Sequence, residues 1–110
     1  MAAYGSDYEA ATFLLSAPAL DGRADRFVRD GRVDWLGLLG ECDSMSSGQR
    51  LLVRAAYDLW SGEANVGLRE LALRLDGTSL VRLAAALGVA SGRRPAPERP
   101  ALRLVRGGRG

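Results

Sequence analysis

The chain has 110 residues and a net charge of +2; its fifteen cationic residues are all arginine, and it has one cysteine and no histidine. The length sets the expectation of one domain, and an apolar content of 47% is that of a folded core. This composition excludes a Ser–His or Cys–His nucleophile pair, lysine chemistry, an intramolecular disulfide and a thiolate-cage zinc site.

Ser6 and Glu9 have capping-box spacing, which predicts a first helix from about Asp7 that stops before Pro18. The segment Ala10–Leu20 looks superficially like a signal-peptide core. Asp7 and Glu9 stand where a cationic region belongs, and the apolar run is too short to span a bilayer. An amphipathic helix and a cytoplasmic location are therefore expected.

Leu20, Ala24, Phe27 and Val28 recur at helical spacing and predict a second helix ending at Gly31, with Arg23, Asp25, Arg26, Arg29 and Asp30 on its solvated side. Asp34 is placed to cap a short third helix through Trp35, Leu36, Leu38 and Leu39, and Val33 with Leu38 has hydrophobic-staple spacing. Gly37 and Gly40 weaken this helix, so two turns or some 3₁₀ character are expected. Glu41–Ser47 reads as a polar connector.

Ser46 and Gln49 form a second capping-box pattern and open a helix over 47–61. Its polar residues Arg50, Arg54, Asp58 and Ser61 form one narrow stripe. Leu51, Leu52, Val53, Ala55, Ala56, Tyr57, Leu59 and Trp60 fill the remainder, which predicts a helix in the middle of the domain, ended by Gly62. A fifth helix spans 66–75 on Leu68, Leu71, Ala72 and Leu75, with Gly67 as cap, a Val66–Leu71 staple and a favourable Glu70–Arg74 pair. Asp76-Gly77 reads as a turn, and Thr78 or Ser79 as the cap of a last helix over 78–91. That helix has one ridge at Leu80, Leu83, Ala84, Leu87 and Ala90 and a second at Val81, Ala85, Ala86 and Val89; its only charge is Arg82.

From Arg93 the composition changes: RRPAPERP holds three prolines, and ALRLVR and GGRG follow. The expected organisation is a compact all-α domain of five or six short helices over 1–92 and a flexible basic tail over 93–110. The tail carries +5 against −3 for the preceding residues.

Four features bear on function. Helices 66–75 and 78–91 resemble a helix-turn-helix in outline, yet Ser79, Arg82 and alanines are too poor in donors to read base edges. Arg93, Arg94, Arg99, Arg103, Arg106 and Arg109, with Arg82 and assistance from Arg74 and Arg69, offer an alternative nucleic-acid contact through phosphates. Asp30 with Asp34 and Glu41 with Asp43 are near enough in sequence to share a metal or divide acid and base roles, although charge in turns is far commoner. Cys42, flanked by Glu41 and Asp43 at a helix C-terminus, is expected to have a raised pKa and dull reactivity. No cofactor, metal or catalytic residue is expected.

The favoured reading is a non-catalytic protein-binding module. Two helices apolar nearly all round are difficult to bury together in so small a domain, and exposed apolar patches tend to be interfaces. A protein partner or self-association is expected through Leu80, Val81, Ala85 and Val89, without a membrane.

Overall fold

The computed structural model describes residues 6–30 and 32–92. The side chain of Ser6 in the first capping box, Gly31 and the arginine-rich segment 93–110 lie outside the described residues.

The longest helix is α3 (Ser47–Ser61), and its start follows from two side chains. Ser46 Oγ accepts from the Gln49 N–H at 3.1 Å while Gln49 Oε1 accepts from the Ser46 N–H at 3.0 Å, satisfying two otherwise orphaned donors. Gly62 ends the helix at φ 74°, its N–H reaching the Asp58 carbonyl. Leu51, Leu52, Val53, Ala55 and Ala56 are all buried, and each large side chain among them contributes about 1.5–3 kcal/mol.

Five helices and one two-residue hairpin make up the described fold, which is of the all-α class. The first helix, α1 (Ser6–Leu15), buries Tyr8 and two adjacent i,i+4 rows, Ala10–Leu14 and Ala11–Leu15. With so wide an apolar face, α1 packs along both α3 and α5 (Gly77–Ala90), which touch one another far less. The expectation of α3 in the middle of the domain holds, since it touches every other α-helix among the described residues, and α1 is the partner that α3 and α5 share. Ala10 and Ala11 let neighbouring backbones approach a helix that hydropathy alone does not mark as central.

The second predicted helix does not form. A 3₁₀ turn at Pro18–Leu20 ends in left-handed Asp21 and Gly22, and these two residues break the helical path. A second 3₁₀ turn at Asp25–Phe27 leads into β1 (Val28–Arg29), which pairs antiparallel with β2 (Arg32–Val33) in the register Val28↔Val33 and Arg29↔Arg32. Asp30 has φ 52°, and Asp-Gly is the residue pair that two-residue hairpin loops favour. The apolar set Leu20, Ala24, Phe27 and Val28 still faces inward, through turns rather than one helix. The Tyr8 hydroxyl accepts from the Val33 N–H and ties the hairpin to α1.

Next, α2 (Trp35–Glu41) is capped by Asp34, whose Oδ1 accepts from the Gly37 N–H at 3.1 Å. It runs into a 3₁₀ turn at Cys42–Ser44 instead of a loose connector. Trp35 stacks on Trp60 at 5.5 Å and meets Tyr57 edge-on at 5.1 Å; Tyr8 lies 6.2 Å from Trp60. The four rings join α1, α2 and α3 at one end of the core.

The last two helices are nearly continuous in sequence. Gly67 precedes α4 (Leu68–Arg74), and only extended Leu75 and Asp76 separate it from α5. The cap of α5 is Asp76, whose Oδ1 accepts from the Ser79 N–H at 2.7 Å, so the helix starts at Gly77 and not after Thr78 or Ser79. A carboxylate three residues ahead of that N–H reaches the first-turn donors that a cap at Thr78 or Ser79 would leave unpaired.

Candidate protein-binding surface

The four residues expected to meet a partner do not share one face. Val81 is 72% exposed and Leu80 and Ala85 are half-buried, but Val89 is 1% exposed and belongs to the core. Eight residues of α-helix rotate by about 80° beyond two full turns, enough to carry Val89 round to the row Ser79, Leu83, Ala86. Val89 is therefore withdrawn from the surface. The outward side of α5 is formed by Leu80, Val81, Ala84, Leu87 and Gly88, none of them charged.

Sequence reasoning missed a groove beside that face. Ala55, Asp58 and Leu59 of α3, Val66, Leu68 and Leu71 of α4 and its approach, and Leu83 and Leu87 of α5 enclose about 160 Å³. Leu68 and Leu87 form its rim at 82% and 53% exposure, while Leu71 and Leu83 form its buried floor. The signal was present in the spacing: Leu68 with Leu71 on one helix, and Leu83 with Leu87 on the other. What periodicity does not show is that two helices joined by two residues bring those pairs to one groove.

One wall is fixed by polar contacts. Asp58 Oδ1 accepts from the Ala64 N–H at 3.1 Å, and Arg54 Nη2 donates to the Ala64 carbonyl at 3.3 Å. Arg54 and Arg74 each lie 3.9 Å from the Glu70 carboxylate, linking α3 to α4 through an exposed network. Ala64 is thus held between two α3 side chains, one of which, Asp58, lines the groove.

The residues of the alternative nucleic-acid reading are divided. Arg82 is half-buried: its Nε donates to the Phe13 carbonyl at 3.1 Å, its Nη2 donates to Ser16 Oγ at 2.6 Å, and its guanidinium lies 4.1 Å above the Phe13 ring. Burial lowers its pKa from the ordinary arginine value. It ties α5 to the end of α1. Arg69 and Arg74 are exposed on α4, and Arg93, Arg94, Arg99, Arg103, Arg106 and Arg109 lie outside the described residues.

The carboxylates have structural roles. Asp34 caps α2, and Glu41 accepts from Arg23 at 3.0 Å and from Arg26 at 2.8 Å. The Arg23 hydrogen bond, with both guanidinium charges, holds the Glu41 carboxyl below its usual range. Among the described residues no group of three His, Cys, Asp or Glu side chains is placed to hold a metal ion. Cys42 is buried, and burial, with the neighbouring Asp43 and Glu41 charges, pushes its thiol up.

Two other depressions are more polar. One of about 410 Å³ follows the hairpin and is lined by Arg26, Phe27, Arg29, Asp30, Arg32, Val33 and Asp34, carboxylates alternating with guanidiniums. The second, about 320 Å³, lies where α3 and α5 begin, beside Gln49, Arg74 and Asp76. No helix among the described residues is long and apolar enough to cross a membrane. No protein-family model matches the chain, and comparison with curated proteins and with solved structures finds no match to it.

Proposed function

We propose that this chain is a small non-catalytic protein-binding domain, acting in the cytoplasm, that engages a partner or a second copy of itself through the outer face of α5 and the adjoining α3–α4–α5 groove. One observation carries the reading: the Leu68 and Leu87 side chains stand exposed on either side of an apolar groove whose floor is Leu71 and Leu83. At about 160 Å³ the groove is smaller than the about 300–1,000 Å³ of small-molecule sites. It suits one or two aliphatic side chains from a peptide or helix, the knob-in-pocket contact around which protein interfaces are organised.

The test is site-specific photocrosslinking in cells, with the crosslinker at Val81, at Leu87 and, as control, at exposed Asp43. The expected result is one and the same protein captured from the first two positions, lost when Leu68→Asp is added, and absent from Asp43. No capture, or equal capture at all three, sinks the proposal.

A second reading, nucleic-acid binding by residues 93–110, is supported by their +5 charge. It predicts association with random duplex or RNA that weakens steeply with salt and is lost when the tail arginines are replaced. No binding at low salt ends it.

A further inference from the structure

We propose that the β1–β2 hairpin binds a small phosphate monoester, with the phosphoryl group held between Arg29 and Arg32 in the depression of about 410 Å³ that they line.

Arginine stands at every third position from Arg23 to Arg32, and the structure uses the two halves of that run differently. Arg23 and Arg26 close on an anion that the fold supplies: Glu41 offers Oε2 to Arg23 at 3.0 Å and Oε1 to Arg26 at 2.8 Å. Arg29 and Arg32 are the next pair at the same spacing, and the antiparallel register sets them directly opposite one another. No ion pair among the described residues includes Arg29. Val28 and Val33 pack against the core, so strand alternation puts both arginines on the outer face, their Cβ atoms about 5 Å apart.

Such a pair works against the hairpin. Like charges directly opposite one another destabilise a strand pair, and each strand here has two residues to offset that. Threonine or valine would suit either position better. What the two arginines supply instead is a concentration of charge that an anion in the depression would relieve. Of the other charged groups lining it, Arg26 is engaged by Glu41 and Asp34 by the Gly37 N–H, which leaves Asp30 in the loop. A phosphate monoester carries about −1.5 to −2 charge at neutral pH and three acceptor oxygens. That answers two planar guanidiniums at once and outweighs Asp30, whereas a carboxylate brings one charge and two oxygens. The depression falls within the about 300–1,000 Å³ of small-molecule sites. It has room beyond the phosphoryl group, and Phe27 and Val33 give the organic part of the ester an apolar wall.

The experiment titrates phenyl phosphate, inorganic phosphate and phenylacetate into the full chain, read by backbone amide shifts, alongside Arg29→Thr and, as a charge control, Arg69→Thr on α4. Phenyl phosphate should shift the amides of Arg29, Arg32 and Val33. It should bind Arg29→Thr about tenfold more weakly and Arg69→Thr as tightly as the unaltered chain. Inorganic phosphate should shift the same amides at higher concentration, and phenylacetate should not. Melting separates this from a damaged hairpin. Without ligand, Arg29→Thr should melt at or above the temperature of the unaltered chain, because the like-charge pair is gone, and phenyl phosphate should raise the unaltered chain more. Equal affinity for the unaltered chain and Arg29→Thr, or hairpin amides that do not move, overturns the proposal. So does an Arg29→Thr chain that melts lower, since Arg29 then serves the fold. Phenylacetate binding as tightly as phenyl phosphate overturns it in favour of a carboxylate. A DNA duplex that moves the hairpin amides when phenyl phosphate does not overturns it in favour of a polymer backbone.

Discussion

The Arg82 guanidinium lies 4.1 Å over the Phe13 ring while its Nε donates to the Phe13 carbonyl, joining residues 69 positions apart in the chain. That carbonyl, in the last turn of α1, also accepts from the Ser16 N–H at 3.2 Å and the Ser16 hydroxyl at 2.7 Å, and Ser16 Oγ receives a second guanidinium N–H. The lone charge of α5 thus serves the α1–α5 contact. Arg82→Met should lower stability by about 1–3 kcal/mol, because two acceptors lose a charged donor while the stem's packing is kept. Urea denaturation checks this; an unchanged midpoint would mean the contact is incidental.

Two glycines of one helix should respond oppositely to alanine. A Cβ at Gly37 would come within 2.5 Å of the Asp34 carboxylate that caps α2 and 2.9 Å of the Phe27 ring. Gly37→Ala should cost about 1–3 kcal/mol through displacement of cap and ring. At Gly40 a Cβ meets nothing within 4 Å, so Gly40→Ala should gain about 0.5–1 kcal/mol from the lower entropy of the unfolded chain. Thermal unfolding of the two variants separates these effects from general helix propensity, which alone would favour both.

Acid should weaken the fold through Asp76 and Glu41. The Ser79 backbone N–H and hydroxyl hold the Asp76 carboxyl below its usual value, and Arg23 and Arg26 do the same for Glu41. Both folded-state pKa values are depressed, so the stabilisation is fully present above the ordinary carboxylate pKa and is lost as pH falls through the folded one. Melting temperature should therefore decline below about pH 4. The decline should be shallower in Asp76→Asn, which still accepts at the cap but carries no titrating charge. Parallel curves for variant and unaltered chain would remove Asp76 from this account.

Exposure should divide the leucines sharply. Leu52 is fully buried in α3, and Leu52→Ala should cost about 2–5 kcal/mol through lost transfer energy and the cavity left behind. Leu36, 86% exposed on α2, should tolerate alanine within about 0.5 kcal/mol. A large cost at Leu36 in dilute solution would reveal a second apolar contact surface on α2.

The sequence by itself determined the helix ends that depend on local chemistry. Ser46 with Gln49, Asp34, Gly62 and Gly67 mark termini within a turn of where they occur, because caps join groups three or four residues apart. It also determined the all-α class and the presence of spare apolar circumference on the last helix. The hairpin at 28–33 was not read from the sequence: the helical spacing of Leu20, Ala24, Phe27 and Val28 predicts a helix there, and turns bury the same side chains.

Only the tertiary structure decided which faces were covered. Val81 and Val89 share a ridge in the sequence, yet α1 and the core take Val89 and leave Val81 outside. Arg82 is by pattern only the lone charge of its helix, and it becomes a clasp because Phe13 and Ser16 lie beside it. The groove likewise brings together Leu59 of α3, Leu68 and Leu71 of α4, and Leu83 and Leu87 of α5. Such contacts link residues distant along the chain, and periodicity reports how side chains are arranged around one helix, not which neighbour will occupy each side.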